Sequence, residues 1–257
     1  MVRTPKELVT VLGPDGAALG PLPDLERGRM RELFVHMARV RCVDDRMLKL
    51  QRAGRVGFVG TARGLEAAMI GSAAVLRDTD WLWSGLREGG AAVMRGLPLA
   101  EYVAQMYCNS NDTAKGRQMC NHFQHEPTNY PSWSSVIGTQ ITHGVGAAYA
   151  SKQRGEDAVH AIYFGDGATS SNGFHSGLNF AAVWKVPAVF VCVDNGWATE
   201  RPEAAHAWQS ADAIGAALVE WGAGWRATHP DAQVGCDEAI SGASVHRELC
   251  RLNFQPL

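Results

Sequence analysis

The sequence predicts an α/β domain with a mainly parallel sheet and helices on both faces. Two apolar runs, VHAIYF (159–164) and VPAVFVCV (186–193), are rich in branched and aromatic residues, which is typical of central parallel strands. Between them, four apolar residues recur at helical spacing: Phe174, Leu178, Ala181 and Ala182. Ser170 or Ser171 can cap that helix. The unit is therefore β-α-β, and both strands end at the same edge of the sheet, where ligands bind in such folds.

Further helices and one short strand are predicted ahead of this unit. The first helix is long and amphipathic, with Leu33, Phe34 and Met37 among its regularly spaced apolar residues, and Gly54 ends it. The other segments are helices over 63–77 and 97–109, and a short strand over 80–90 that runs into a loop.

A glycine-containing helix over 136–155 leads into the β-α-β unit. We expect Gly138, Gly144 and Gly146 to let neighbouring elements approach closely. Residues 109–133 are polar and lack periodicity, and a loop of that length in a compact domain is usually functional or mobile.

The composition is typical of a globular chain with a substantial core. Of the 257 residues, 46% are apolar and 19% are charged. A net charge of -2 argues against a nucleic-acid partner or an anionic membrane surface. The longest apolar run, VPAVFVCV, is far shorter than the roughly 20 residues that span a bilayer. The N-terminal stretch lacks an apolar core of signal-peptide length. We therefore expect neither nucleic acid nor membrane as a partner.

The six cysteines lack CxxC spacing, which indicates reduced thiols in a cytoplasmic protein. Three regions are predicted: an extended arm over 1–27, the α/β domain over 28–200, and a divergent tail over 201–257. A helix is expected at 210–225 within the tail, but no convincing buried strand follows it.

Polar residues stand at the end of each predicted strand. Asp166 of GDG follows the first strand and Asn195 of DNG follows the second. Neighbouring strands lie about 5 Å apart, so two hard oxygen ligands would meet there, as Mg²⁺ prefers. Gly165 and Gly167 permit close backbone approach, and the following helix directs its positive dipole end to the same place. The residues predict a site for a divalent cation with a diphosphate, although each motif alone could be a tight turn.

The GDG and DNG motifs, separated by residues 168–193, resemble the thiamine diphosphate motif. Further segments occur in the order found in one family: GRVGF, GLEAAMIGSAA, LREGG, KGRQM, SSVIGTQITHGVGAAYA, FGDGA, LNFAA and DNGWA. That family is the alpha subunit of the decarboxylating dehydrogenase of 2-oxoacid dehydrogenase complexes. The resemblance runs from about Arg31 to Ala198 and implies a thiamine diphosphate-binding fold.

The resemblance also implies roles for individual residues. The implied metal ligands are Asp166, Asn195 and the main-chain oxygen of Trp197. The implied cofactor-binding residues are Leu86, Arg87, Ser135, Ile137, Gly165, Asp166, Gly167, Ala168 and Asn195. Arg87 would hold the diphosphate and Ile137 would bend the cofactor, although an arginine can equally form a surface ion pair and an isoleucine can belong to the core. His122 and Glu66 match active-site positions, and each also has a plain structural interpretation.

A potassium ion is held in some relatives at the positions of Ser134, Thr139 and Gln140, where helix capping is an equal alternative. The implied reaction is decarboxylation of a 2-oxo acid with thiamine diphosphate and Mg²⁺, followed by acyl transfer to a lipoyl group on a partner protein. Pyruvate, branched-chain 2-oxo acids and acetoin remain possible substrates. A beta subunit would complete the active site in a two-alpha, two-beta assembly.

Some residues depart from the family pattern. Asp194 replaces an asparagine beside the metal position, Leu86 replaces an aromatic residue, and Cys120-Asn121 replaces a proline-containing step. The family likeness also ends near Ala198. The divergent tail and Asp194 favour an alternative hypothesis, a catalytically silent paralogue that only binds partner chains. A transketolase-type half-chain is a third possibility, but it would lack the KGRQM and SSVIGTQ segments.

Overall fold

The computed structural model describes residues 11–22 and 24–194. Six α-helices and three strands lie within them: α1 Arg27–Arg52, α2 Glu66–Ala73, β1 Trp81–Trp83, α3 Gly89–Met94, α4 Leu99–Met106, α5 Thr139–Arg154, β2 His160–Gly165, α6 Asn172–Trp184 and β3 Ala188–Val193. Short 3₁₀ turns cover Glu126–Thr128 and Asp166–Ser170. No helix of this part of the chain is both long and apolar enough to cross a membrane.

The strands form a parallel sheet in the order β1-β2-β3, which confirms the predicted β-α-β unit. Trp83 of β1 pairs with Ile162, and Gly165 at the end of β2 pairs with Val193 at the end of β3. Because the strands are parallel, the residues that follow all three of them meet at one edge of the sheet.

Helices cover both faces of the sheet, as predicted. Ala161, Tyr163 and Val191 face a core with α1 to α4, whereas Ile162 and Phe190 face a core with α5 and α6. The alternation along each strand explains why the strands are apolar throughout, since both sets of side chains are removed from water. The α/β architecture of the described residues is therefore as the sequence predicts.

Helix α3 was not predicted, because its sequence begins with two glycines and glycine is a poor helix former. Tertiary packing requires both glycines. A Cβ on Gly89 would lie 2.7 Å from the ring of Phe123, and one on Gly90 would lie 2.5 Å from a methyl group of Val40. The helix packs so closely on α1 and on the 109–133 loop that no side chain fits there.

Two details of the sequence predictions were wrong. Phe34 is 66% exposed and does not belong to the buried stripe of α1. A Cβ on Gly146 would meet open space, whereas one on Gly144 would press on Ile162. Helix α6 begins at Asn172, directly after Ser171, and a 3₁₀ turn from Asp166 precedes it.

The cap of α6 was predicted correctly. The hydroxyl of Ser171 accepts a hydrogen bond from the backbone N–H of Phe174, 3.2 Å away. The predicted helix at 210–225 lies outside the described residues, and the three-region division of the chain stays a prediction.

Candidate functional site

A tight turn after β1 forms the first wall of the site. One buried carboxylate oxygen, Glu88 Oε2, accepts hydrogen bonds from the Ser84 hydroxyl (3.0 Å) and from the backbone N–H groups of Gly85 (2.8 Å) and Leu86 (3.1 Å). Gly85 lies so close to β2 that a Cβ there would be 3.2 Å from the carbonyl oxygen of Tyr163. The turn is thus fixed against the sheet just before Arg87.

Arg87 extends from this turn and is tied to the first long helix through a loop. A guanidinium N–H of Arg87 donates to the carbonyl oxygen of Thr61. The buried carboxylate of Asp44 on α1 in turn accepts from the Thr61 hydroxyl and, at 3.1 Å, from the N–H of Ala62. A guanidinium has five N–H donors and this contact uses one, so Arg87 can bind a phosphate group as well.

The end of β2 supplies a buried acid to the same edge. Asp166 is 2% exposed and opens the 3₁₀ turn, whose Thr169 hydroxyl donates to the Asp166 carbonyl oxygen at 2.7 Å. Gly165 and Val193 are the last paired residues of β2 and β3, so Asp166 and Asp194 each directly follow one of two neighbouring strands. Asp194 is exposed. Two carboxylates at neighbouring strand ends form a hard-oxygen pair that suits a divalent cation.

His122 and Ser135 form a hydrogen-bonded pair. Nδ1 of His122 lies 2.9 Å from the carbonyl oxygen of Cys120 and therefore carries a proton, because a carbonyl can only accept. In the neutral ring, Nε2 then accepts from the Ser135 hydroxyl. The ring of His122 thus holds the Ser135 hydroxyl in place at the wall of the site.

Gln105 on α4 holds the segment that carries His122. Its side chain is 2% exposed, accepts a 3.0 Å hydrogen bond from the N–H of His122, and donates a 2.6 Å hydrogen bond to the carbonyl oxygen of Met119. A buried amide that satisfies two backbone groups fixes the path of an irregular segment.

Asn121 links three separate loops at the site. Its Oδ1 accepts from the N–H of Gly60 (3.2 Å) and its Nδ2 donates to the carbonyl oxygen of Leu86 (3.1 Å). The residue is buried and its φ of 69° lies in the left-handed region, which asparagine tolerates better than most residues. Asn121 therefore connects the loop before α2 and the turn after β1 to the segment that carries His122.

These walls enclose a cavity of about 340 Å³, near the lower end of the usual range for ligand sites. The predicted site residues that line it are Leu86, Arg87, His122, Ser135, Ile137, Gly165, Asp166, Gly167 and Ala168. The lining that sequence reasoning missed includes Phe58, Leu65, Glu88, Met119, Trp133 and Val193. The wall therefore combines a cationic side chain, Arg87, with two carboxylates and a large apolar surface. Asn195 and Trp197 lie outside the described residues.

Trp133 gives an independent sign of a ligand. It lines the cavity and its ring centroid lies 4.1 Å from that of His122. Its indole N–H is buried and has no hydrogen-bond acceptor among the described residues. A buried donor without an acceptor is unfavourable, and a ligand with an acceptor atom in the cavity would satisfy it.

The structure does not bring Glu66 to the cavity wall. Its carboxylate is paired with Arg41 on α1 and accepts a 2.9 Å hydrogen bond from the N–H of Gly64. The hydrogen bond from Arg41 lowers the pKa of Glu66 in spite of burial. The acid therefore joins α1 to the start of α2, and a catalytic role for it stays a prediction.

Of the residues matched to a potassium site, Ser134 and Thr139 have partners close by in the chain, whereas Gln140 lines the cavity and bonds to β2. The Ser134 hydroxyl accepts from the N–H of Val136 (3.1 Å), and the Thr139 hydroxyl donates to the Val136 carbonyl oxygen (2.8 Å). Gln140 donates to the carbonyl oxygen of Tyr163 (2.9 Å). These contacts organise the start of α5, and within the described residues no cluster of three or more His, Cys, Asp or Glu side chains suits a metal ion.

The sequence predicts that the start of α6 faces the ligand. In the structure, the 3₁₀ turn that precedes α6 lines the cavity instead.

The residues of the site that were not predicted had weak signals in the sequence. Glu88 lies within the LREGG segment and its partners are close in the chain, but nothing in the sequence marks it as the acceptor of this turn. Asn121 lies in a step that departs from the family pattern, and its hydrogen-bond partners are distant in the chain.

Comparisons with known proteins agree with this geometry. A family model described as "Dehydrogenase E1 component" matches residues 35–219. The alpha 2 subunit of mitochondrial 2-oxoisovalerate dehydrogenase from Arabidopsis thaliana is 41% identical over 171 residues, which are 66% of this chain and 36% of the relative. The mitochondrial alpha subunit from Homo sapiens is 37% identical over 194 residues, 75% of this chain and 44% of the relative. The one from Caenorhabditis elegans is 36% identical over 181 residues, 70% of this chain and 42% of the relative.

The chain thus spans less than half the length of each of these relatives. The family model nevertheless matches well over half of the chain and includes every described residue of the cavity wall. The chain therefore belongs to the dehydrogenase E1 component family.

Proposed function

We propose that this chain is the alpha subunit of a thiamine diphosphate-dependent 2-oxoacid dehydrogenase. The observation that carries the proposal is the cavity at the carboxyl edge of the sheet. It gathers Arg87, His122, Ser135, Ile137 and Asp166 from separate segments of the chain. Each of these residues matches a site position of the family by sequence, and their convergence in one cavity supports that match.

The residues in the wall suit the parts of thiamine diphosphate. Arg87 would bind the diphosphate, and Asp166 would bind Mg²⁺ together with Asn195 and Trp197. The exposed side chain of Ile137 would pack on the rings. The buried N–H of Trp133 would donate to an acceptor atom of the ligand. When bound, the cofactor supplies a carbon nucleophile that attacks the keto carbon and accepts the electron pair left by CO₂.

The chain's own residues would handle protons near the bound substrate. Nε2 of His122 and the Ser135 hydroxyl can exchange a proton, while the Cys120 carbonyl keeps Nδ1 protonated. This arrangement holds one donor or acceptor at the cavity wall in a fixed position, as general acid–base catalysis requires.

The proposed substrate is a branched-chain 2-oxo acid, with pyruvate as the second candidate. The three relatives are named 2-oxoisovalerate dehydrogenases, which supports the first choice. The proposed partners are a beta subunit, which would complete the site, and a lipoyl-bearing acyltransferase, which would accept the acyl group. The cytoplasm is proposed as the location from the cysteine pattern alone.

The test is co-expression with a beta subunit, followed by measurement of CO₂ release from 2-oxoisovalerate and pyruvate with thiamine diphosphate and Mg²⁺. We expect the higher kcat/KM for 2-oxoisovalerate and its loss in Asp166→Ala. Ser176→Ala serves as a matched control, because that hydroxyl only donates to the carbonyl oxygen of Asn172 on α6. No CO₂ from any 2-oxo acid would refute the enzymatic proposal.

The second candidate is a catalytically silent subunit that only binds partner chains. Asp194 favours it, because this residue follows β3 next to the end of β2 and a second carboxylate there would change the charge around the proposed Mg²⁺. Weak cofactor binding without CO₂ release would support this candidate, and activity restored or raised by Asp194→Asn would identify that charge as the cause.

A further inference from the structure

Two thiols lie side by side beside the cavity. The Sγ of Cys108 donates a hydrogen bond to the Sγ of Cys120 at a separation of 3.5 Å, and both side chains are partly exposed. We propose that Cys108 and Cys120 are a reversible disulfide site that reacts with small disulfides such as oxidised glutathione.

The surrounding backbone keeps the two sulfur atoms together. Cys108 follows the end of α4 with a φ of 49°, and Cys120 lies in the segment that Gln105 fixes to the same helix. The loop between them is organised by the fully buried Asp112, whose carboxylate accepts from the N–H groups of Ala114 and, at 3.0 Å, of Gly116. The sulfur atoms must approach by about 1.5 Å to reach a bond length near 2.05 Å.

The chemistry is two consecutive thiol–disulfide exchanges. The thiolate of Cys120 attacks one sulfur of oxidised glutathione, and the first glutathione thiolate leaves. The thiolate of Cys108 then attacks the sulfur of Cys120, and the second glutathione leaves. Two protein thiols become one disulfide, one glutathione disulfide becomes two thiols, and the protons lost by the cysteines end on the released glutathiones.

Cys108 is assigned the second attack because its thiol donates the hydrogen bond to the Cys120 sulfur and so holds its proton within the pair. Burial and the hydrogen bond to Cys120 raise the pKa of Cys108 to about 11. Ring closure is therefore expected to accelerate as the pH rises above neutrality.

Closure of the disulfide would act on the candidate site through the backbone. The carbonyl oxygen of Cys120 is the partner of His122 Nδ1, and the neighbouring Met119 lines the cavity. A bond at Cys120 would fix this segment to the end of α4 and shift the carbonyl that sets the His122 tautomer. This consequence rests on the proposed function, whereas formation of the disulfide does not.

The experiment uses the full chain, with its beta subunit where that is needed for purification. The protein is equilibrated with mixtures of oxidised and reduced glutathione, alkylated, digested with trypsin and analysed by mass spectrometry. Cys108 falls in the peptide 96–115 and Cys120 in the peptide 118–152, so only a disulfide joins them. We expect the joined peptide in oxidising mixtures, and its disappearance after treatment with a reductant.

Cysteine variants give matched controls. Cys120→Ser must abolish the joined peptide, while Cys42→Ser, on the exposed side of α1, must leave it unchanged. The double variant Cys236→Ser, Cys250→Ser must also leave it unchanged. Three results under oxidising conditions would overturn the proposal. The two cysteines could remain alkylated, each could carry a separate glutathione, or either could form a disulfide with another cysteine.

Thiamine diphosphate affinity of the oxidised and reduced protein tests the consequence for the site. We expect lower affinity in the oxidised protein and recovery on reduction, and equal affinity would overturn this consequence. No cofactor binding in either state would count against the proposed function and leave the disulfide established.

Discussion

Replacement of Asn121 tests whether one side chain holds three walls of the cavity together. Asn121→Gly removes both hydrogen bonds, to the N–H of Gly60 and to the carbonyl oxygen of Leu86, but keeps a backbone that accepts a φ of 69°. Each lost hydrogen bond is worth about 1 kcal/mol, so the free energy of unfolding should fall by about 2 kcal/mol. Asn121→Ala loses the same bonds and adds about 1–2 kcal/mol of left-handed strain.

The difference between these two variants separates the side-chain effect from the backbone effect. The free energy of unfolding is measured by urea denaturation, and thiamine diphosphate affinity is measured by titration at a temperature where all variants are folded. We expect both variants to lose affinity by about tenfold, which corresponds to 1.4 kcal/mol, because Arg87 and His122 are no longer held in one frame.

Asn121→Asp is the third member of the series. It keeps an acceptor for Gly60 but places a carboxylate oxygen against the carbonyl oxygen of Leu86, so its affinity should resemble that of the glycine variant. Wild-type affinity in Asn121→Gly would refute the reasoning, since the walls would then be held without this side chain.

Further predictions concern the geometry of one cation, the titration of one histidine and two glycines. Arg87→Lys should weaken thiamine diphosphate binding by about tenfold or more in calorimetric titration, because an ammonium cannot bind phosphate through two parallel N–H groups; unchanged affinity would exclude Arg87 as the diphosphate ligand. Burial lowers the pKa of His160 to about 4, against the opposing charges of Glu156 and Asp80. As the pH falls below 6.5, this histidine gains its proton in the unfolded chain before it does so in the folded protein. The free energy of unfolding should therefore fall by about 3 kcal/mol as the pH drops from 6.5 to 4, measured by urea denaturation. A titration without any loss in that range would contradict this. Gly138→Ala should lower the free energy of unfolding by more than about 1 kcal/mol, because φ is 84° and a Cβ would overlap the Ser171 hydroxyl. Gly146→Ala, where a Cβ would meet open space, should raise it by about 0.5–1 kcal/mol in the same assay.

The fold was predictable where the periodicity of apolar residues is local. The runs that became β2 and β3 are apolar on both faces because each is covered by helices on both sides. Helix α3 was not predictable in this way. Gly89 and Gly90 are needed because Phe123 and Val40 pack against them. Both of these residues are distant in the chain, so a local sequence pattern cannot predict this packing.

The same contrast holds for the candidate site. Asp166 and Arg87 follow strands, so strand ends and family motifs sufficed to predict that they meet at one edge. Asn121 lies in an irregular loop and Gln105 lies on α4. Both side chains bind backbone groups of other segments, so their own sequence neighbourhoods do not reveal their role. Glu66 was predicted as an acid near the cofactor, and the structure pairs it with Arg41, so its role in the reaction stays a prediction.

The most direct test of the account is the binding of thiamine diphosphate to this chain in the presence of a beta subunit, measured by isothermal titration calorimetry with and without Mg²⁺. The account predicts Mg²⁺-dependent binding at one site per chain, and its loss in Asp166→Ala. Absence of binding, or equal binding in the Asp166→Ala variant, would contradict the assignment of this cavity to the cofactor.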